Sequence, residues 1–154
     1  MDVSSLNTVA AKIYKEELKT VQIENDFVGQ TFICNYPNLS RIDVILSSPE
    51  NSYRELIFHL KTSADDKKDL TTIHISTHNV INGSYYHINF PTQKNSMGRK
   101  YYFCLEGLRG KIPSVLEPPG IKYLENNPYS NGEMYVNDKE LEDCDLIFRT
   151  YFIR

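Results

Sequence analysis

Between Gln30 and Ile153 the chain repeatedly alternates apolar and polar residues with a period of two, and that rhythm restricts the fold more than any other feature. Ile42, Val44 and Leu46 fall on one side of the run Ser40 to Ser47, with Arg41, Asp43 and Ile45 on the other. Glu55 to Lys61 sets Leu56, Phe58 and Leu60 against Ile57, His59 and Lys61, and Tyr85 to Phe90 sets Tyr86, Ile88 and Phe90 against Tyr85, His87 and Asn89. Gln30 to Cys34, Thr71 to Ser76, Lys100 to Glu106 and Cys144 to Ile153 are further β-patterned runs. Successive side chains of a strand point to opposite faces, so such runs read as strands with one buried face. Clusters of Pro, Gly, Asn, Asp and Ser separate them at 47–52, 64–69, 82–83 and 92–98, as turns require. At least seven strands with no helices between them favour two stacked antiparallel sheets over a parallel α/β sheet.

Two stretches depart from this rhythm. From Asn7 to about Thr20, Val9, Ile13 and Leu18 recur at helical spacing with Lys and Glu on the remaining faces. This predicts a short helix capped by Asn7 or Ser5. An isolated helix of that length is marginal in water and must dock or fray. The domain organisation expected is therefore a helical appendage over 1–22 and a sandwich over 23–154. The second stretch, Lys111 to Gly132, contains Pro113, Pro118, Pro119 and Pro128. It reads as a long irregular excursion on the sandwich, and loops of that length are often functional.

Composition narrows the function without naming it. With 17 Lys and Arg against 20 Asp and Glu, the net charge is −3, which gives no basic footprint for nucleic acid and no attraction to an anionic membrane. No window approaches the ~20 apolar residues of a membrane span, and the charged N-terminal residues lack a signal peptide's apolar core. A soluble, cytoplasmic protein is expected. Cys34, Cys104 and Cys144 are odd in number and far apart, which argues against a disulfide framework or a zinc site and for buried thiols.

Motifs of catalysis are missing. His74 and His78 are four apart, but in a β-patterned run and the loop after it, where the helical alignment of metal ligands is lost. The serines sit mainly in turns, with no Gly-x-Ser-x-Gly elbow. Asp65-Asp66 and Glu142-Asp143 read as solvated loop charges, and Gly98-Arg99-Lys100 as part of a hairpin turn between Asn95 and Tyr101. No enzyme and no cofactor is expected; a structural calcium ion is conceivable for such a fold, but no Asp-rich loop assigns one.

The order of motifs resembles a bacterial β-sandwich module. Gly29-Gln30-Thr31-Phe32, Leu39-Ser40-Arg41-Ile42-Asp43-Val44, Leu56-Ile57-Phe58-His59-Leu60 and Tyr86-His87-Ile88-Asn89-Phe90-Pro91 are followed by Ser96 to Phe103 and Asp145 to Tyr151. This is similar to the jelly-roll domains appended to bacterial glycosyltransferases and surface-polysaccharide proteins and, more distantly, to galactose-binding-like carbohydrate-binding modules. The resemblance covers Asp26 to Arg154. It implies an antiparallel jelly-roll β-sandwich that binds an oligosaccharide or polysaccharide, with a parent glycosyltransferase or self-association as further partners. Sugar-binding modules commonly stack sugars on Trp, and this chain has none; its 11 Tyr must serve instead.

If Ile42, Val44, Phe58, Leu60, Ile88, Phe90, Leu146 and Phe148 point inward, then Arg41, His59, His87, Arg149 and Tyr151 point outward. Arg and His donate to sugar hydroxyls or carboxylates, and Tyr offers an apolar ring with a polar tip. Tyr123 and Tyr129, beside Asn126, Asn127 and Asn131 in the Pro-rich excursion, suit a loop-rim site. These seven residues are the candidate ligand contacts. The rival reading is a protein-interaction or assembly domain that docks through the stripe of Val9, Ile13 and Leu18. A small hydrolase remains a third, dependent on a nucleophile, base and oxyanion donors converging in space.

Overall fold

The computed structural model describes residues 18–49, 54–108, 117–126 and 129–154. Within them the chain forms twelve strands: β1 Lys19–Gln22, β2 Phe27–Ile33, β3 Leu39–Ser47, β4 Glu55–Lys61, β5 Thr71–Ser76, β6 Tyr85–Gln93, β7 Lys100–Gly107, β8 Gly120–Leu124, β9 Met134–Val136, β10 Lys139–Leu141, β11 Asp145–Leu146 and β12 Phe148–Phe152. A single 3-10 turn, Thr77–Asn79, lies between β5 and β6. The strands make two six-stranded sheets, with all their pairings antiparallel. Without the short segments, pairing runs β1–β8–β3–β6 in one sheet and β2–β7–β4–β5 in the other. β12 joins the first sheet along β3, and β9 and β10 extend the second beyond β2.

The inward set read from the alternation is buried throughout: Ile42, Val44, Phe58, Leu60, Ile88, Phe90, Leu146 and Phe148 all belong to the core. Phenylalanines join the layers. Phe103 and Phe32 of the second sheet meet Phe148 of the first at centroid distances of 5.7 and 5.9 Å, and Phe58 stacks on Phe90 at 5.7 Å. Burying each such ring contributes about 1.5–3 kcal/mol, with the pair geometry adding to it.

One polar link also crosses the interior. The Gln30 amide of β2 donates to Asp145 Oδ1 at 2.8 Å, while Gln30 Oε1 accepts from the Leu146 N–H at 2.9 Å. Asp145 Oδ2 accepts from the Tyr129 N–H at 3.1 Å. Burial pushes the Asp145 carboxyl up to about 6, against the pull of the Gln30 and Tyr129 hydrogen bonds, with Glu133 nearby raising it further.

The structure departs from the sequence reading in three places. The helix expected over 7–20 lies outside the described residues up to 17, together with Val9 and Ile13. Beyond that, Leu18 packs on the core, and Lys19–Gln22 pairs with β8, so the sheet takes in residues from the helical side of the boundary at 22–23. The Pro-rich excursion is not irregular throughout: Gly120–Leu124 is a strand between β1 and β3. Its alternation is only five residues long and is flanked by Pro119 and Asn126, too short to stand out as a period. The turn at Asn95 to Gly98 is not a hairpin, because β6 and β7 belong to different sheets. It carries the chain across the sandwich, with Gly98 at φ 75° and its N–H donating to the Cys34 carbonyl at 2.8 Å.

All three cysteines are buried and free of disulfides. Among the described residues no helix is long and apolar enough to cross a membrane, and no group of three or more His, Cys, Asp or Glu is placed to hold a metal ion.

Candidate functional site

β3 pairs with β6 and β12, and their register fixes which outward residues meet. Asp43 lies opposite His87 on β6 and Arg149 on β12; Arg41 lies opposite Asn89 and Tyr151. Period-two alternation puts all of them on the solvent side of the sheet. The structure thereby brings together four of the seven candidates, Arg41, His87, Arg149 and Tyr151, around a residue the candidate set left out.

That residue is Asp43. Its side chain is 0% exposed, although it points away from the sandwich interior, because its neighbours roof it over. Arg149 Nη2 donates to Oδ2 at 2.9 Å, and Arg41 Nη2 donates to the same oxygen at 3.4 Å. Oδ1 has Arg41 Nε at 3.0 Å and His87 Nδ1 at 2.8 Å, ion-pair contacts without the alignment of a hydrogen bond. A carboxylate out of water is costly unless opposite charges surround it, and here two guanidiniums do so.

Each guanidinium also lies on a ring. Arg41 sits 3.7 Å from the Tyr151 centroid, and Arg149 sits 3.5 Å from the Tyr85 centroid and 5.6 Å from that of Tyr151. Salt bridge and cation–π contact together hold both side chains flat, 15% and 21% exposed, where free arginines would sample many rotamers. His87 is the most open member at 51%. The Tyr85 phenol is pushed up to about 12, chiefly by burial, with Arg149 lowering it and Asp43 and Tyr151 raising it. It therefore keeps its proton, and among the described residues its hydroxyl has no hydrogen-bond partner.

Asp43 and Tyr85 were legible as outward residues of their strands. Their role was not, because nothing local says that β3 runs between β6 and β12.

The other three candidates lie elsewhere. His59 is on the outer face of the second sheet, with Nδ1 at 2.6 Å from Asp69 Oδ2 and Nε2 at 2.9 Å from Glu106 Oε1. Burial raises the Asp69 carboxyl, but hydrogen bonds from His59 and Thr72 and the charges of His59 and Lys61 outweigh it and hold the group below its usual value. This cluster ties the β4–β5 loop to the sheet. Tyr129 is a core residue, not a loop-rim one: its ring stands edge-on to Phe148 at 5.3 Å and its hydroxyl accepts from the Ile33 N–H at 3.0 Å. Tyr123 is half-buried on β8 and packs on the core. An aromatic ring in a proline-rich stretch gives no local sign of whether it faces water or phenylalanine.

His74 is exposed, with its Nδ1 at 3.1 Å from Glu55, and His78 sits on the 3-10 turn. Asp66 accepts from Thr62 and from the Lys68 N–H, which hold its carboxyl below the usual range in an exposed loop. Buried Cys104 lies opposite His59 across β7 and β4, and burial pushes its thiol up to about 12, so it is a poor nucleophile.

No protein-family model matches the chain, and no curated protein matches it.

Proposed function

We propose that this chain is a non-catalytic carbohydrate-binding module of jelly-roll type, and that its glycan contacts are Arg41, His87, Arg149 and Tyr151 on the outer face of β6, β3 and β12. Support for the jelly roll comes from the strand order, β1–β8–β3–β6 facing β2–β7–β4–β5, which is the pairing that results when an eight-stranded ribbon folds over into two layers. The binding reading rests chiefly on one observation: Asp43 clamps two arginines, each laid on a tyrosine ring. A buried charge cluster is weak support for stability, since well-packed apolar residues often do as well. On the solvent face of a sheet it does something apolar residues cannot, which is to present fixed donors and ring faces to a polyhydroxylated ligand.

The proposed contacts are hydrogen-bond donors and ring faces, the groups that hold a polyhydroxylated ligand. Attachment to a glycosyltransferase or a polysaccharide-assembly protein is the setting that the sequence resemblance implies. Three buried free thiols accord with a reducing compartment such as the cytoplasm.

The test is a glycan array followed by calorimetric titration, with wild type beside Arg149→Ala. Binding by wild type that falls at least about tenfold in the variant is expected. Silence of the wild type across neutral and acidic glycans would overturn the proposal.

A further inference from the structure

Beyond Tyr151, β12 leads directly into a pocket of about 480 Å³ lined by Tyr36, Pro37, Asn38, Ile153 and Arg154. Its walls are tied together. Asn38, at φ 68°, donates its side-chain amide to the Ile153 carbonyl at 2.9 Å, and its own carbonyl accepts from the Ile153 N–H at 3.0 Å. Tyr36 is 41% exposed, yet its ring is backed by Phe152 at 5.5 Å. The Tyr36 carbonyl accepts from Ser96 Oγ at 2.7 Å, and that oxygen accepts from the Leu39 N–H at 3.2 Å, so the loop carrying the ring is anchored to buried structure. An open aromatic face on a fixed backing, with an amide and an exposed guanidinium beside it, has the chemistry of a sugar-stacking site.

The pocket follows the cluster at Asp43 along the chain of β12. Tyr151, which carries the Arg41 guanidinium, lies two residues before Ile153. From Arg149 to Ile153 the strand advances about 13 Å at ~3.3 Å per residue, longer than one pyranose ring. Arg41 and Arg149 hold the buried Asp43 carboxylate, with His87 beside them, and Arg154 lines the pocket beyond.

Building on the carbohydrate reading above, we infer that the Tyr36 pocket, at the end of β12, is a terminal subsite for the ligand of that face. The ligand is then an acidic oligosaccharide lying along β12, with one ring stacked on Tyr36 and a carboxylate near Arg154. The excess of guanidinium over carboxylate favours an acidic chain, and the length of the strip favours an oligomer.

Titration of the full chain with oligogalacturonides from monomer to hexamer, beside a neutral glucan ladder, tests this. Wild-type affinity is expected to rise by about tenfold as the acidic ladder becomes long enough to reach Tyr36, the worth of one aromatic stack. The neutral ladder should bind at least about tenfold more weakly than the acidic one. Tyr36→Ala should remove the gain on lengthening. Arg154→Ala, at an exposed position where folding is not at risk, should reduce that gain several-fold. If wild type binds neither ladder, the inference fails, while the carbohydrate reading falls only if the glycan array is silent as well. If wild type binds the acidic ladder but Arg154→Ala and a folded Tyr36→Ala keep the full gain, or affinity does not depend on length, the subsite is wrong while the carbohydrate reading stands. Equal binding of both ladders overturns the acidic specificity.

Discussion

The guanidinium of Arg149 lies 3.5 Å from the centroid of the Tyr85 ring, and the same side chain donates to Asp43 at 2.9 Å. A cation fixed from two sides in this way joins β12 to β6 across β3. Truncating it should cost more than an exposed arginine does. Arg149→Ala is expected to lower stability by about 2 kcal/mol, the loss of a charge-assisted hydrogen bond. Asp43→Ala should cost more, about 3 kcal/mol, because it removes the common partner of two adjacent cations. Urea unfolding of both variants checks the order; an Asp43→Ala protein as stable as wild type would show that the cluster contributes nothing to the fold.

Tyr85 itself offers the opposite test. Its hydroxyl is buried and, among the described residues, has no hydrogen-bond partner, while its ring carries Arg149. Tyr85→Phe keeps the ring and discards an unsatisfied polar atom. Stability is expected to hold or rise by up to about 1 kcal/mol in thermal or urea unfolding. A clear loss would mean that the hydroxyl is satisfied in solution.

Asp145 should leave a signature in the pH dependence of stability. Its carboxyl titrates near 6 in the folded chain against an ordinary value of 3.8. Between those values the folded state holds more protons than the unfolded one, so this group's contribution falls as pH rises through that window and is level above it. Asp69, held low, acts in the reverse sense: its contribution is present above its ordinary value and is lost as pH falls towards its folded one. Asp145→Asn is informative because both carboxylate oxygens accept hydrogen bonds, and an amide nitrogen in either place faces a donor. The variant should be less stable than wild type throughout, with the larger deficit near pH 4 and the smaller near pH 7. Denaturant titrations at the two pH values read the difference directly.

Gly132 packs its backbone against β2. A Cβ there would collide with the Thr31 carbonyl and crowd the buried Tyr129 ring at 3.0 Å, and neither the paired backbone nor the core ring yields easily. Gly132→Ala is expected to lose about 3 kcal/mol or to shift the β8–β9 connection. Unfolding midpoints give the loss, and amide exchange at Thr31 and Glu133, whose backbones bond at 2.9 Å, locates it. A wild-type midpoint would show that this approach relaxes at no cost.

Alternation along the chain was enough to assign the inner and outer faces of β3, β4, β6 and β12, since the pleat turns every second side chain the same way whatever the neighbouring strand is. For that reason the core residues from Ile42 to Phe148 were legible, and so was the outward direction of Arg41, His87 and Arg149. Strand adjacency is a property of how the whole chain wraps. It put His87, Asp43 and Arg149 in one row, sent His59 to the other sheet, and made Asp43, an unremarked polar residue of an alternating run, the centre of the candidate site. Tertiary packing also drew Gly120–Leu124 out of a proline-rich stretch into the middle of a sheet and buried Tyr129 against Phe148. Such pairings depend on hydrogen bonds and ring contacts between residues far apart in sequence, which a periodicity confined to one strand does not contain.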